Sequence, residues 1–340
     1  MKRSIILSML LILLLSCAAQ AKKRKVSQPD WLKNPKSVYR EQMYLSAIGE
    51  GDSRSDAENM AAGNLARIFE SNIKAEETVN QRYMELTKNK KTDIEEQTNV
   101  LKNVNIKSQQ TLFNIQYGES FTDDMGRVHT IAYLNRMKTA EIYESKINKN
   151  AEQINYFVEL AENSKDPVFN YAAMSAASAV SSQNEILIGQ LTIIFPTALE
   201  MLELNYDHNE IIKNTSSAAA NVSCKIDIKN DKEKKVTILL EELINDLGFV
   251  LNNDEVLRID GDILLEETDL NRDLEFIRYE LQINVTNNKD NVIVSMSEKG
   301  REGHVSAAEA KARAIRTLSK KINKQLKKKL ISYFDNMVLE

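Results

Sequence analysis

The hydrophobic positions of this 340-residue chain change period several times, and each change marks an element. Tyr44 to Ile48 is a short apolar run that predicts a strand, followed by a turn at Gly49-Glu50-Gly51-Asp52. Ser55 and Glu58 have the spacing of a capping box and predict a helix start. Ala57, Ala61, Leu65 and Ile68 then recur at helical spacing, and this face is expected to continue to about Ile73. Residues 74–110 are charged and rich in asparagine and glutamine, and fit a strand, a helix or both. Residues 111–120 and 127–135 predict a hairpin closed by Phe121 to Gly126, where aspartate and glycine supply the turn.

The period then lengthens. Ile142, Ile147, Ile154, Phe157, Leu160 and Ala161 fit one helix, which stops at Asn163-Ser-Lys-Asp-Pro167. Residues 168–182 are alanine-rich and suit close helix packing. Residues 184–204 form a third element that Pro196 breaks or kinks. From about Ala218 the strand pattern returns, with strands at 222–228, 249–251, 257–267, 274–285 and 292–297. A helix over 235–247 is closed by Gly248, and Asn287 to Asp290 make a hairpin turn. A long helix begins at Ser306, with Ala310, Ala314, Leu318, Ile322, Leu326, Leu330 and Phe334 on one stripe.

This order predicts an α+β protein: two α/β sandwich-like domains with mostly antiparallel sheets, separated by a helical insert. The boundaries fall at 44–137, 138–214 and 215–340. The two sheet domains share a local device. Gly49-x-Gly51 precedes Ser55-Asp-Ala-Glu58, and Gly300-x-x-Gly303 precedes Ser306-Ala-Ala-Glu309, each followed by an alanine-faced helix. Shared packing physics is favoured over duplication, because the device opens one domain and closes the other.

The first 43 residues differ from the rest. Met1-Lys2-Arg3 is followed by an apolar run, residues 5–15, interrupted only by Ser8. That run has the length of a signal-peptide core and is short of the roughly 20 residues a membrane span needs. Leu14-Leu15-Ser16-Cys17 then resembles a bacterial lipobox, in which the cysteine is diacylated and cleavage leaves it first. Residues 1–16 are thus expected to be a signal peptide and Cys17 the lipidation site. The competing expectation is cleavage after Ala19-Gln20-Ala21, giving a soluble periplasmic protein. In the first case Lys22, Lys23, Arg24 and Lys25 either sit beside the head groups, where each positive charge adds about 1 kcal/mol near an anionic surface, or merely solubilise a flexible tether. Residues 26–43 predict an extended tether in which Pro29 and Pro35 frame Trp31, the sole tryptophan, as a packing anchor at the domain edge.

Pro29-Asp30-Trp31, Tyr44-Leu-Ser-Ala-Ile-Gly49-Glu-Gly51, Ala57, Ala61, Ala62 and the hairpin through Asn135 together resemble the Lpp-twenty family of bacterial envelope lipoproteins over residues 29–137. The amino-terminal domain of the flagellar assembly protein T is a more distant similarity. The resemblance implies an envelope lipoprotein, in the outer membrane and facing the periplasm, and carries no catalytic signature. The arginine-rich first helix of that family is weaker here, with Arg54 and Arg67 only.

Composition narrows the chemistry. An apolar content of 42% is that of a folded chain. The net charge of −4 offers no general attraction to nucleic acid. The two cysteines are Cys17 and Cys224, so the mature fold keeps one, expected as a small buried hydrophobe in its strand. Gly49-x-Gly51 lacks the third glycine and lysine of a phosphate loop, and is expected to be a structural turn. His129, His208 and His304 fall in three segments without ligand spacing. Asp260, Asp262, Glu266, Glu267 and Asp269 fit solvated strand ends better than a calcium loop. No cofactor is expected. Lys320, Lys321, Lys324, Lys327, Lys328 and Lys329 make a strongly basic final helix. It is a solvated face or a contact for an anionic lipid, an acidic envelope protein or a cell-wall polymer. The leading expectation is a non-enzymatic envelope lipoprotein in assembly or interaction at the membrane. The alternative is a periplasmic ligand-binding module using a groove between the sheet domains.

Overall fold

The computed structural model describes residues 27–69, 77–87, 112–268 and 274–339, with backbone alone for 77–79. It is an α+β protein with two mostly antiparallel sheets. In the first sheet, β1 (Tyr44–Gly51) pairs along its whole length with β4 (Val128–Asn135), and short strands β2 (Gln116–Tyr117) and β3 (Phe121–Thr122) pair with β4's other edge. The second sheet has the order β6-β5-β7-β8-β9. Here β5 (Ser223–Lys229) runs parallel to β6 (Val250–Leu251) and β7 (Leu257–Thr268). Antiparallel pairs then link β7 to β8 (Glu275–Asn287) and β8 to β9 (Val292–His304).

Residues 30–38 are not the extended tether their prolines suggested. They fold into two single-turn helices, α1 (Asp30–Lys33) and α2 (Pro35–Val38). Pro29 is the N-cap of one and Pro35 the first residue of the other, positions where the missing N–H has no helical partner to lose. Trp31 is buried, as an anchor should be.

Helix α3 (Arg54–Ala66) is capped by Ser53, whose hydroxyl accepts the Asp56 N–H at 3.2 Å, so the cap lies two residues earlier than the Ser55 pair. Ala57, Ala61 and Leu65 are buried, but Ile68 is 39% exposed because the chain tightens into a 3-10 turn at Arg67–Phe69. Gly49 and Gly51 do not form a turn; both lie inside β1. A Cβ placed on Gly49 would sit 2.1 Å from the Ala61 nitrogen and 2.3 Å from the Ala57 oxygen. The helix backbone therefore rests directly on the strand, which only glycine under an alanine face permits.

The helices that follow have no separate core of their own among the described residues. Helices α5 (Arg136–Glu162) and α6 (Pro167–Ile194) pack side by side, with Asn135 and Asp166 as N-caps. The stretches read as two elements, 168–182 and 184–204, are one helix as far as Ile194, and Pro196 opens a 3-10 turn, Pro196–Met201. At 28 residues α6 is about 42 Å long. Its Leu187, Leu191 and Ile194 join α3 and the first sheet in one core, while Ala172, Ala176 and Val180 join the second sheet in another. Helix α5 divides the same way, with Tyr143 and Ile147 in the first core and Ile154 and Phe157 in the second. The pair is thus a shared spine. Arg136 closes the end of α6, donating from Nη1 to the Ile193 and Ile194 oxygens at 2.8 and 2.6 Å.

Around the second core lie α7 (His208–Ala220), α8 (Lys235–Asp246), and the final helix, made of α9 (Ala307–Lys321), a π turn (Ile322–Leu326) and α10 (Lys327–Leu339). Helix α4 (Glu77–Leu86) packs on α6 and sends Leu86 into that core. Every residue of the predicted final stripe is buried, from Ala310 to Phe334. Four residues of α-helix turn through about 400°, so a strict spacing of four drifts by about 40° per step. The drift is used: α9 lies on β8 and β9, while α10 turns toward α6. The π turn between them loosens the winding and absorbs part of the rotation.

Candidate functional site

The lysine-rich final helix is the best-defined candidate surface. Its lysines divide by face. Lys321 pairs with Glu298, Lys327 reaches Asp246 at 3.7 Å, and Lys329 Nζ donates to the Ser295 oxygen at 2.8 Å. These three fasten the helix to β9 and α8. Lys320, Lys324 and Lys328, spaced by four, lie exposed on the opposite side and meet no acidic partner among the described residues. Like charges at this spacing destabilise a helix by about 0.2–0.5 kcal/mol per pair. The stripe is therefore tolerated at a small cost rather than demanded by the fold. Cys17, Lys22, Lys23, Arg24 and Lys25 lie outside the described residues.

A second cluster was not legible as a group in sequence. At the far end of the first sheet, His129 Nε2 lies 3.0 Å from Asp123 and its Nδ1 3.9 Å from Glu50. Arg127 bonds Glu50 at 3.1 Å and reaches Asp52 at 4.0 Å. The hydrogen bond from His129 and the backbone N–H groups of Arg127 and Met125 hold the Asp123 carboxyl below its ordinary range. Asp123 thereby organises the turn, and Gly126 completes it at φ +84. Each group is occupied in fastening the turn to β1.

The third cluster is internal. Arg82 on α4 makes a forked ion pair with Asp335 on α10, at 2.6 Å from Nη2 and 3.0 Å from Nε, and also donates to Ser175. Between two and three turns further along α6, Asn150 donates to Asn184, which donates in turn to the Ile147 oxygen and to the Tyr206 hydroxyl. Tyr83 donates to Asn150 at 3.1 Å. These bonds satisfy polar groups that helix packing takes out of water.

No family model matches the chain, and no curated protein matches it in sequence. Among solved structures it is similar to a secreted protein from Helicobacter pylori at 12% identity and a TM-score of 0.43, over 83% of this chain and 98% of the other. It is also similar to a minor lipoprotein from Acinetobacter baumannii, at 11% identity and a TM-score of 0.26, over 32% of this chain and 90% of that one. A lipoprotein candidate from Caulobacter crescentus gives 9% identity and a TM-score of 0.25, over 32% and 88%. Likeness this slight decides nothing about activity. The resemblance to the Lpp-twenty family rests on the sequence alone.

The remaining candidates have local explanations. His208 Nδ1 is 3.0 Å from the Ser181 hydroxyl at the start of α7, and His304 ends β9. Asp260 and Asp262 are not at a strand end. They lie within β7, Asp260 in an ion pair with Arg258 at 2.8 Å and Asp262 accepting from Asn230 at 2.7 Å. Glu266 and Glu267 continue the same strand, and Asp269 lies outside the described residues. Among the described residues no helix is long and apolar enough to cross a membrane.

Cys224 faces the second core and is fully buried. Burial pushes its thiol up to about 12, leaving about one part in 10⁵ as thiolate at pH 7. In the folded chain at neutral pH, an aromatic disulfide reagent is expected to leave Cys224 unmodified for hours, then to label it at once in denaturant. Fast labelling of the native protein would show that β5 opens readily.

Proposed function

We propose that this protein is a non-enzymatic bacterial envelope lipoprotein, held to the membrane through Cys17, whose folded part serves in assembly or interaction. The observation that carries the interaction role is the stripe of Lys320, Lys324 and Lys328, turned to solvent while the neighbouring lysines fasten the helix. Such a row fits an acidic face of an envelope protein or an anionic cell-wall polymer. The anchor is supported by Leu14-Leu15-Ser16-Cys17 behind its apolar run. Several acyl chains on one cysteine hold a protein almost permanently, since each buried methylene contributes about 0.8 kcal/mol. The outer membrane, facing the periplasm, is the proposed location.

Metabolic labelling with palmitate tests the anchor. The wild-type chain is expected to take up label and to fractionate with membranes, and the Cys17→Ala chain to do neither. Label and membrane association that survive the substitution would exclude anchoring through Cys17.

A further inference from the structure

We propose that the corner of the first sheet carrying Val38, Met43 and Met137 rests on the bilayer as an interfacial foot, beside the Cys17 anchor. This inference rests on the lipid-anchor reading above. Nine residues, ten Cα-to-Cα steps, separate Cys17 from Ser27, the first described residue. A chain of that length spans at most about 35 Å. An acylated Cys17 thus keeps the start of α1 within that distance of the head groups, and the surface next to α1 and α2 is the one the tether presents to the membrane.

That surface has an interfacial composition. Val38, Met43 and Met137 are 49%, 51% and 61% exposed. They share one end of the sheet. The Arg136 N–H donates to the Met43 oxygen at 2.9 Å, bringing Met137 beside Met43. Tyr39, next to Val38, sets its ring against Tyr44 and Tyr133 at centroid distances of 5.6 and 4.7 Å, which holds the end of α2 to the same corner. Lys33, Arg40 and Lys138 are exposed nearby, as is Glu41, which pairs with Lys36 at 2.5 Å. Single exposed apolar side chains need no explanation. Three at one sheet corner, next to the tether and with long cations nearby, match the way a surface-lying segment sinks apolar groups below the head groups while cations reach the phosphates.

The opposite end of the sheet supplies the control. Met125 is 86% exposed on the turn before β4. The pairing from Tyr44 with Asn135 to Gly51 with Val128 puts about 23 Å between the two ends. Met125 shares the residue type of Met43 and Met137 but lies at the end away from the tether.

The test uses the full acylated chain in vesicles of phosphatidylethanolamine and phosphatidylglycerol. A cysteine is placed in turn at Val38, Met43, Met137 or Met125 and carries an environment-sensitive dye; acylation blocks Cys17, and burial keeps Cys224 silent. At the first three positions emission is expected to shift to the blue and to be quenched by lipid-borne nitroxides, while the dye at position 125 stays aqueous. Adding Met43→Glu and Met137→Glu to the chain labelled at position 38 should abolish its quenching, with flotation unchanged. An aqueous signal at all four positions on protein that floats with the vesicles overturns the foot and leaves the anchor standing. Equal quenching at position 125 also overturns it. A chain that takes up no palmitate and does not float overturns the anchor, and the foot with it.

Discussion

Replacing Gly49 by alanine is expected to destabilise the protein by about 3 kcal/mol or more, at the upper end of what overpacking costs. The added methyl group would fall 2.1 Å from the Ala61 nitrogen and 2.7 Å from its Cα. Both are backbone atoms in the middle of α3, so no side chain can swing aside. The helix must lift off β1, and Ala61, Ala62 and Leu65 then lose contacts in the first core together. Gly126 is the comparison. It has φ +84 with nothing within 4 Å of an added Cβ, so alanine there meets only backbone strain, about 1–2 kcal/mol. Urea titrations followed by circular dichroism would rank the two variants. A loss at Gly49 no larger than that at Gly126 would mean that the helix does not rest on the strand.

This contact also shows where sequence reasoning reaches and where it stops. The alanine face of α3 was legible, because period 3.6 is written in adjacent residues. The cap was not, since Asp52-Ser-Arg-Ser-Asp-Ala-Glu58 holds two serines with an acid three residues later. Ser53 is the one whose hydroxyl accepts a helix N–H, that of Asp56. The glycine device repeated at 300–303 is a likeness of spacing only. Gly300 and Gly303 seat the rings of Tyr279 and Phe276 from the facing strand, rather than a helix backbone. Shared physics at the cap, with a different task for the glycines, accounts for the echo.

The final stripe was read correctly because its residues are apolar and evenly spaced. Of its lysines, the sequence showed the number but not the division, which depends on where Glu298, Asp246 and the Ser295 carbonyl arrive from β9 and α8. Similarly, Gln183 and Asn184 looked like the boundary between two helices. Both are buried in one continuous helix, and Asn150 and Tyr206 meet Asn184 across the spine. Polar residues break a pattern in one dimension and complete it in three. The anchor is the reverse case, since its signal is local and short and lies wholly in sequence.

Replacing Arg82 by methionine is expected to cost about 3–5 kcal/mol, the penalty for leaving a buried carboxylate without its partner. The Asp335 side chain is 5% exposed and Arg82's 20%, so water does little for either charge. Burial holds the Asp335 carboxyl above its ordinary range, and the Arg82 guanidinium offsets part of that. Without the guanidinium the carboxyl should rise further. A group whose folded pKa lies above its unfolded value stabilises the fold below the unfolded pKa and loses that contribution as pH rises through the folded one. The deficit of Arg82→Met should therefore be largest near pH 7 and shrink as the solution is acidified. Pairing it with Asp335→Leu removes both charges and is expected to recover stability to within about 1–2 kcal/mol of the wild type, because well-packed apolar substitutes for buried pairs are often neutral. Denaturant titrations of the wild type, Arg82→Met and the double variant at two pH values separate charge from packing. A double variant as unstable as the single, with a deficit indifferent to pH, would assign the loss to the packing of α4 on the spine. Recovery would show that the loss in Arg82→Met is the cost of an unpaired buried carboxylate, and that α4 docks on the spine without the ion pair.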